Sequence, residues 1–256
     1  MILLLGGTSE TAPLAQDLAQ RGYQVLVSMA TNEPLAIGDH PHIRRRCGRL
    51  DDAGMADLCR SQGIRAIVDV THPYAAAARA TARRVGDLLR LPYLTLVRPR
   101  TPMPGRDVHM VANHEDAAAK AVSFRRPILL TTGANNLLCY VCAAHSAGLS
   151  LVVRVLPRRE SLDACRQAGI PAGHIIAEKG PFTVEGNRAH IRCFQIGTLV
   201  TKDSGQAGGV PSKLEAARLE RCQVVMVERP LVNAVGAPAC VQELLAKIVS
   251  SVPLEQ

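Results

Sequence analysis

The stretch Lys202-Asp203-Ser204-Gly205-Gln206-Ala207-Gly208-Gly209-Val210-Pro211 sets a lysine, an acid and a hydroxyl at the end of a β-branched run, then adds a glycine loop. Such a loop wraps an anion with backbone donors, while Lys202 supplies a point charge and Asp203 fixes or protonates a group nearby. A plain connection with solvated charges is the alternative. Thr71-His72-Pro73-Tyr74 closes another apolar run and offers His72 and Tyr74 for proton chemistry, although a lone histidine also serves as a structural residue. Gly6-Gly7-Thr8-Ser9-Glu10 is a glycine turn feeding a helical pattern, which lets a pyrophosphate approach backbone N–H groups. It is not the full G-x-G-x-x-G, so a tight connection fits as well. Arg44, Arg45, Arg46 and Arg49 follow the second apolar run, where arginine meets a ribose 2′-phosphate or simply makes a solvated face.

These residues need a scaffold, and periodicity supplies one. Short apolar runs at 2–5, 24–28, 66–70 and 93–97 alternate with helical patterns such as 52–62 and 74–90. The proline-rich stretch Arg98 to Asp107 reads as a linker. Beyond it, runs at 128–132, 150–155, 174–177, 198–201 and 224–227 alternate with helical patterns at 135–147, 162–168, 184–193, 212–221 and 238–250. Strand–helix alternation implies parallel sheets with helical crossovers. The expected fold is α/β, with two Rossmann-like lobes, residues 1–103 and 104–256, each a parallel sheet with flanking helices, and an active site in the cleft between them. Ligands of such sheets lie beyond the carboxyl ends of the strands, which draws in Ser28, Ala30 and Thr31, Arg98, Thr132 and Gly133, Arg154, Lys179, Gly180 and Phe182, and Thr201.

Composition narrows the partners. The chain has 256 residues, 47% hydrophobic and 20% charged, which excludes a disordered or low-complexity protein. Aromatics are 3% with no tryptophan, too few for stacking single-stranded nucleic acid, so no nucleic-acid partner is expected. The net charge of +8 is spread evenly over the two halves, a field that concentrates small anions or is an incidental surface bias. No run reaches the ~18 apolar residues of a membrane span, and the first residues carry no basic leader, so no membrane partner and a cytoplasmic location are expected. In that compartment the eight cysteines stay as thiols. Cys139 and Cys142 share a helix face, and no histidine or cysteine spacing indicates a metal.

Taken in order, Leu4-Leu5-Gly6-Gly7-Thr8-Ser9-Glu10, Ala30-Thr31, Arg46-Cys47-Gly48-Arg49-Leu50-Asp51, Thr71-His72-Pro73-Tyr74-Ala75, Pro92-Tyr93 with Arg98-Pro99, Thr131-Thr132-Gly133, Arg154-Val155-Leu156-Pro157, Gly180-Pro181-Phe182 and Thr201-Lys202-Asp203-Ser204-Gly205 resemble the precorrin-6A reductase family of cobalamin biosynthesis. Pro13 and Tyr74 depart from the expected pattern, Tyr74 standing where phenylalanine is common. The resemblance implies an NADPH-dependent reduction of one macrocycle double bond, taking precorrin-6A or its cobalt-bearing equivalent to the 6B form. It also allows contacts with other cobalamin-pathway enzymes.

The residue roles that follow are expectations. Asp203, Lys202, His72 and Tyr74 are the catalytic candidates, with solvent as another proton source. Gly6, Gly7, Thr8, Ser9, Glu10, Ser28, Ala30, Thr31, Arg46, Arg49 and Thr71 are the candidates for NADPH. Arg98, Thr132, Gly133, Arg154, Lys179, Gly180, Phe182, Thr201, Ser204 and Gly205 are the candidates for the anionic tetrapyrrole. A two-lobed nucleotide-sugar glycosyltransferase and a non-enzymatic two-lobed ligand sensor are the other classes weighed. A short-chain reductase is disfavoured, because Tyr23, Tyr74, Tyr93 and Tyr140 are followed four residues on by Val27, Ala78, Val97 and Ala144, never by lysine.

Overall fold

The computed structural model describes residues 1–30, 37–98, 107–205, 208–229 and 237–254. The chain divides into two compact units, Met1–Pro99 with Pro230–Gln256, and Arg100–Arg229. Thr31 and most of the expected linker lie outside the described residues.

The first unit runs β1 (Ile2–Leu5), α1 (Thr11–Gln20), β2 (Val25–Met29), β3 (Ile43–Cys47), α2 (Asp52–Ser61), β4 (Ala66–Asp69), α3 (Ala76–Leu89) and β5 (Tyr93–Thr95). Its sheet is parallel, in the order β3-β2-β1-β4-β5. A strand buried on both faces needs apolar side chains at every position, which is why β1 reads Ile-Leu-Leu-Leu. Ile2 and Leu4 pack on one face with Leu14 and Leu18 of α1. Leu3 and Leu5 pack on the other with Met55, Cys59 and Val85 of α2 and α3. The strand order reverses between β1 and β4, and ligands of such sheets sit outside the strand ends at that point.

The second unit runs β6 (Val108–Val111), α4 (His114–Ser123), β7 (Ile128–Leu130), α5 (Leu137–Ser146), β8 (Leu151–Val155), α6 (Arg159–Gln167), β9 (Ile175–Ala177), α7 (Val184–Cys193), β10 (Thr198–Lys202), α8 (Val210–Leu219) and β11 (Gln223–Val227). Its parallel order is β6-β11-β10-β7-β8-β9, so the winding repeats that of the first unit with β6 added at an edge. The reversal here falls between β7 and β10.

The last helix corrects the expected boundary. α9 (Val241–Ser251) was assigned to a second lobe spanning 104–256, yet Leu244, Leu245, Ile248 and Val252 pack on the sheet of the first unit with Ile2, Leu4 and Val68. Tyr23 Oη also donates to the Val252 carbonyl at 2.8 Å. Four buried side chains of this size stabilise the attachment by roughly 1.5–3 kcal/mol each. Periodicity identifies such a helix but carries no information about which sheet it covers.

Candidate functional site

At the reversal of the first unit, the turn after β1 is shaped by two glycines with different duties. A Cβ on Gly6 would sit 2.3 Å from Thr11 Cγ2, so only glycine allows α1 to start this close to the strand. Gly7 has φ +111°, a backbone state that other residues rarely adopt, and a Cβ there would meet nothing within 4 Å. The space above the turn is open. Thr11 Oγ1 already accepts the N–H groups of Gly7 and Thr8, both at 3.1 Å, a cap that the sequence reading missed. Among the described residues, the Ser9 N–H has no protein acceptor, while the Glu10 N–H is engaged by its own carboxylate. Pro13 is the third residue of α1, where its missing N–H costs no helix bond.

Arg98, expected at the tetrapyrrole, is bonded to residues of this turn. Its Nε donates to Glu10 at 2.6 Å, its Nη1 to the Thr71 carbonyl at 3.1 Å, and its Nη2 to Thr8 Oγ1 at 3.2 Å and the Val70 carbonyl at 3.1 Å. Burial works to raise the Glu10 carboxyl, but the Arg98 contact outweighs it and holds the group at about 2. An acid at a helix start would repel a phosphate, and Arg98 neutralises it. Thr8 Oγ1 donates to the Val70 carbonyl at 2.8 Å and ties the β1 turn to the β4 end.

Thr71, expected at NADPH, is anchored to the strand end beneath it. Its N–H and hydroxyl both donate to Asp69, at 2.8 and 2.6 Å, and Asp69 accepts from Tyr93 Oη at 2.6 Å and Arg79 Nε at 3.3 Å. Burial first, then the Asp69 charge, push the Tyr93 hydroxyl far above its ordinary value. His72 is exposed and Tyr74 partly so, with ring centroids 5.6 Å apart.

At the end of β2 stands Ser28, with no acid among the described residues that follow it. Arg46, on β3, donates to Ser28 Oγ at 2.7 Å and to the Gly48 carbonyl at 2.9 Å, so its guanidinium is fixed beside the strand end. Ala30 is exposed there, as is Arg49 after β3. Arg44 and Arg45 instead face Gln62 and the Gly38 carbonyl.

The reversal of the second unit gathers Thr132 and Gly133 after β7 with Thr201, Lys202, Asp203, Ser204 and Gly205 at the end of β10. Asp203 is buried and bound in a two-pronged pair by Arg229, Nε to Oδ2 and Nη2 to Oδ1, both at 2.8 Å. This is the residue expected as a proton donor, and the structure gives it a structural partner as well. Both carboxylate oxygens are therefore taken up by one guanidinium. Ser204 packs so close that a Cβ on Gly208 would lie 2.0 Å from its Oγ, which explains that glycine. Gly205 and Gly209 have φ +76° and +69°.

Arg154, at the end of β8, is buried. Its Nη1 donates to Asn187 Oδ1 at 2.9 Å and lies 3.3 Å from His190 Nδ1, and its guanidinium stacks on Phe182, 3.9 Å from the ring centroid. Burial pulls it down to about 10, opposed by the nearby Glu178. It remains a cation at neutral pH. Burial also lowers Lys202. Lys179 and Gly180 are exposed after β9.

Lys213 was missed altogether. It is 9% exposed in α8, and its Nζ reaches Thr201 Oγ1 at 3.4 Å and the Gly208 carbonyl at 3.2 Å. Burial, then Arg154 and Lys202, bring it down to about 7. A sequence signal existed: residue 213 is three on from Val210 and four before Ala217, both buried, so it lies on the apolar stripe of its helix.

Comparison with known proteins agrees with this architecture. The family model described as "Precorrin-6x reductase CbiJ/CobK" matches residues 1–249. The cobalt-precorrin-6A reductase of Priestia megaterium is 33% identical over 234 residues, covering 91% of this chain and 92% of that protein. The precorrin-6A reductase of Rhodococcus erythropolis is 34% identical over 235 residues, covering 90% and 89%. A solved structure of CobK precorrin-6A reductase shares the fold, with TM-score 0.80 at 24% identity, across 100% of this chain and 98% of that one. Matched over nearly its whole length by the family model, and a third identical to reductases from two bacteria, the chain belongs to the precorrin-6x reductase family.

Proposed function

We propose that the chain takes precorrin-6A, or its cobalt-bearing equivalent, to the 6B form with NADPH as the reductant, holding NADPH at the strand reversal of the first unit and the anionic macrocycle at that of the second. The observation that carries this division is the charge at the two reversals. The first pairs Glu10 with Arg98 and Asp69 with Arg79, and sets Arg46 beside the β2 end, where an acid would select NAD. The second holds buried Arg154 and Lys213 with no carboxylate hydrogen-bonded to either among the described residues, Glu178 acting on Arg154 through its charge alone, which suits a ligand with carboxylate arms.

Reducing a carbon–carbon double bond adds one hydride and one proton. Bound NADPH supplies the hydride. The chain orients the two partners, and the candidates for the proton are Lys202, His72, Tyr74, Asp203, which is paired with Arg229, and water. Lys202 gains acid strength from its burial. Gly6, Gly7, Thr8, Ser9 and Glu10 form the turn that receives the pyrophosphate. Thr132, Gly133, Arg154, Lys179, Gly180, Phe182, Thr201, Ser204 and Gly205 form the macrocycle side.

Titration of NADPH and NADH, followed by nicotinamide fluorescence, tests the cofactor site. NADPH is expected to bind more tightly, and Arg46→Ala to cost on the order of 10-fold or more for NADPH while leaving NADH nearly unchanged. Equal losses for both would remove the 2′-phosphate role. His72→Ala is expected to lower turnover with an almost unchanged melting temperature, because the side chain is exposed and no packing is lost. Intact turnover in a destabilised variant would assign His72 to the scaffold.

A further inference from the structure

Three arginines that are nearly buried, Arg79, Arg98 and Arg229, each meet a carboxylate, at 3.3, 2.6 and 2.8 Å. Lys213 and its neighbour Arg154 depart from that pattern. The only partners of Lys213 among the described residues are a hydroxyl and a carbonyl, and no acid pairs with it. The charges that act on it are positive, Arg154 of β8 and Lys202 of β10. From α7, which packs along α8, His190 faces Arg154, and Glu178 acts on both of these groups. A second deficit lies on the neighbouring strand. Thr132 Oγ1, at the end of β7, is buried and has no hydrogen-bond partner among the described residues. A buried ammonium without a counter-ion and a buried hydroxyl without a partner each destabilise a fold, and both stand at one strand reversal.

We propose that Lys213 and Thr132 form a carboxylate subsite for one arm of the macrocycle, with Lys213 taking up a proton as the arm binds. This rests on the reading that the second unit binds the tetrapyrrole. An arriving carboxylate favours the charged amine and raises its proton affinity. The ligand-free protein starts to lose that proton near 7, so affinity is level below this pH and declines as pH rises through it. Stability follows the opposite slope. The unfolded chain keeps the lysine proton up to about 10.5, so between the two values it binds more protons than the folded protein and stability rises with pH. Removing the amine relieves the deficit, so Lys213→Met gains stability as it loses ligand.

The test is calorimetric titration of the full chain with uroporphyrin, a porphyrin whose arms are all carboxylates, in two buffers of different ionisation heat. At about pH 8 the wild type is expected to take up a proton on binding and Lys213→Met none. At about pH 6 the variant should bind on the order of tenfold more weakly or worse, with a raised Tm. Thr132→Val preserves shape and removes only the unpartnered hydroxyl, so it should weaken binding several-fold at an equal or higher Tm. That variant decides the matter if Lys213→Met does not fold. Unchanged uroporphyrin affinity in both variants overturns the subsite and leaves the macrocycle site standing, as does a lowered Tm in Lys213→Met with normal affinity per folded molecule. Absence of binding by the wild type, or binding that Lys202→Ala does not weaken, overturns the underlying reading instead.

Discussion

Asp203→Asn is expected to lower the melting temperature by roughly 5–15 °C, because it leaves the buried Arg229 guanidinium facing an amide. The pair is 10% and 5% exposed at its two side chains, and breaking such a pair from one side costs about 3–5 kcal/mol. Its strands also fix the geometry: Lys202 and Val227 are in register on β10 and β11, so the residues just beyond them meet above the sheet. Calorimetry of the variant beside its pH–rate profile separates two roles. A destabilised protein that keeps the wild-type profile per folded molecule is the expected result. A stable variant that has lost an acid limb would make Asp203 the proton donor.

The second large effect is at Arg98. Arg98→Ala removes four hydrogen bonds that join the β1 turn, the β4 end and the residue after Val97. It also leaves Glu10 as a bare charge at the start of α1. NADPH affinity is expected to fall on the order of 10–100-fold, and Glu10→Gln in the same protein should restore part of it, since the repulsion disappears with the charge. The pair has a pH signature too. Glu10 is held at about 2 against an ordinary 4.5, so its contribution, roughly 3 kcal/mol, is complete above 4.5 and is lost as pH falls toward 2. Acid titration of stability should therefore lose that step in Arg98→Ala. A variant that binds NADPH normally would return Arg98 to the macrocycle.

What could be read from the chain depends on how local the physics is. Strands buried on both faces, such as β1 and β11, announce themselves as apolar runs, and the polar residues that follow them include most of the candidate site. β3 was invisible because it is a half-exposed edge strand reading Ile-Arg-Arg-Arg-Cys, whose arginines reach Gln62, Gly38 and Ser28 and mask the alternation. β6 is short and mostly half-buried at the other sheet's edge, and α4 was not named although Asn113 caps it by accepting from the Asp116 N–H at 2.7 Å. The arginine–acid pairs that hold Arg98 and Asp203 join residues 88 and 26 apart, and no local pattern links them. Lys213 shows the converse, a local signal overlooked because lysine on a helix is usually solvated.

The most direct measurement of the central claim is isotope transfer in a single turnover. The purified chain is mixed with precorrin-6A or cobalt-precorrin-6A and NADPH carrying deuterium at the nicotinamide C4 position, and the macrocycle is weighed by mass spectrometry. The product is expected to gain one deuterium from the cofactor and one proton from the medium, with NADP⁺ formed in equal amount, and NADH should support the same conversion far more slowly. A macrocycle of unchanged mass in the presence of bound NADPH, or reduction that carries no deuterium from the cofactor, would contradict the account.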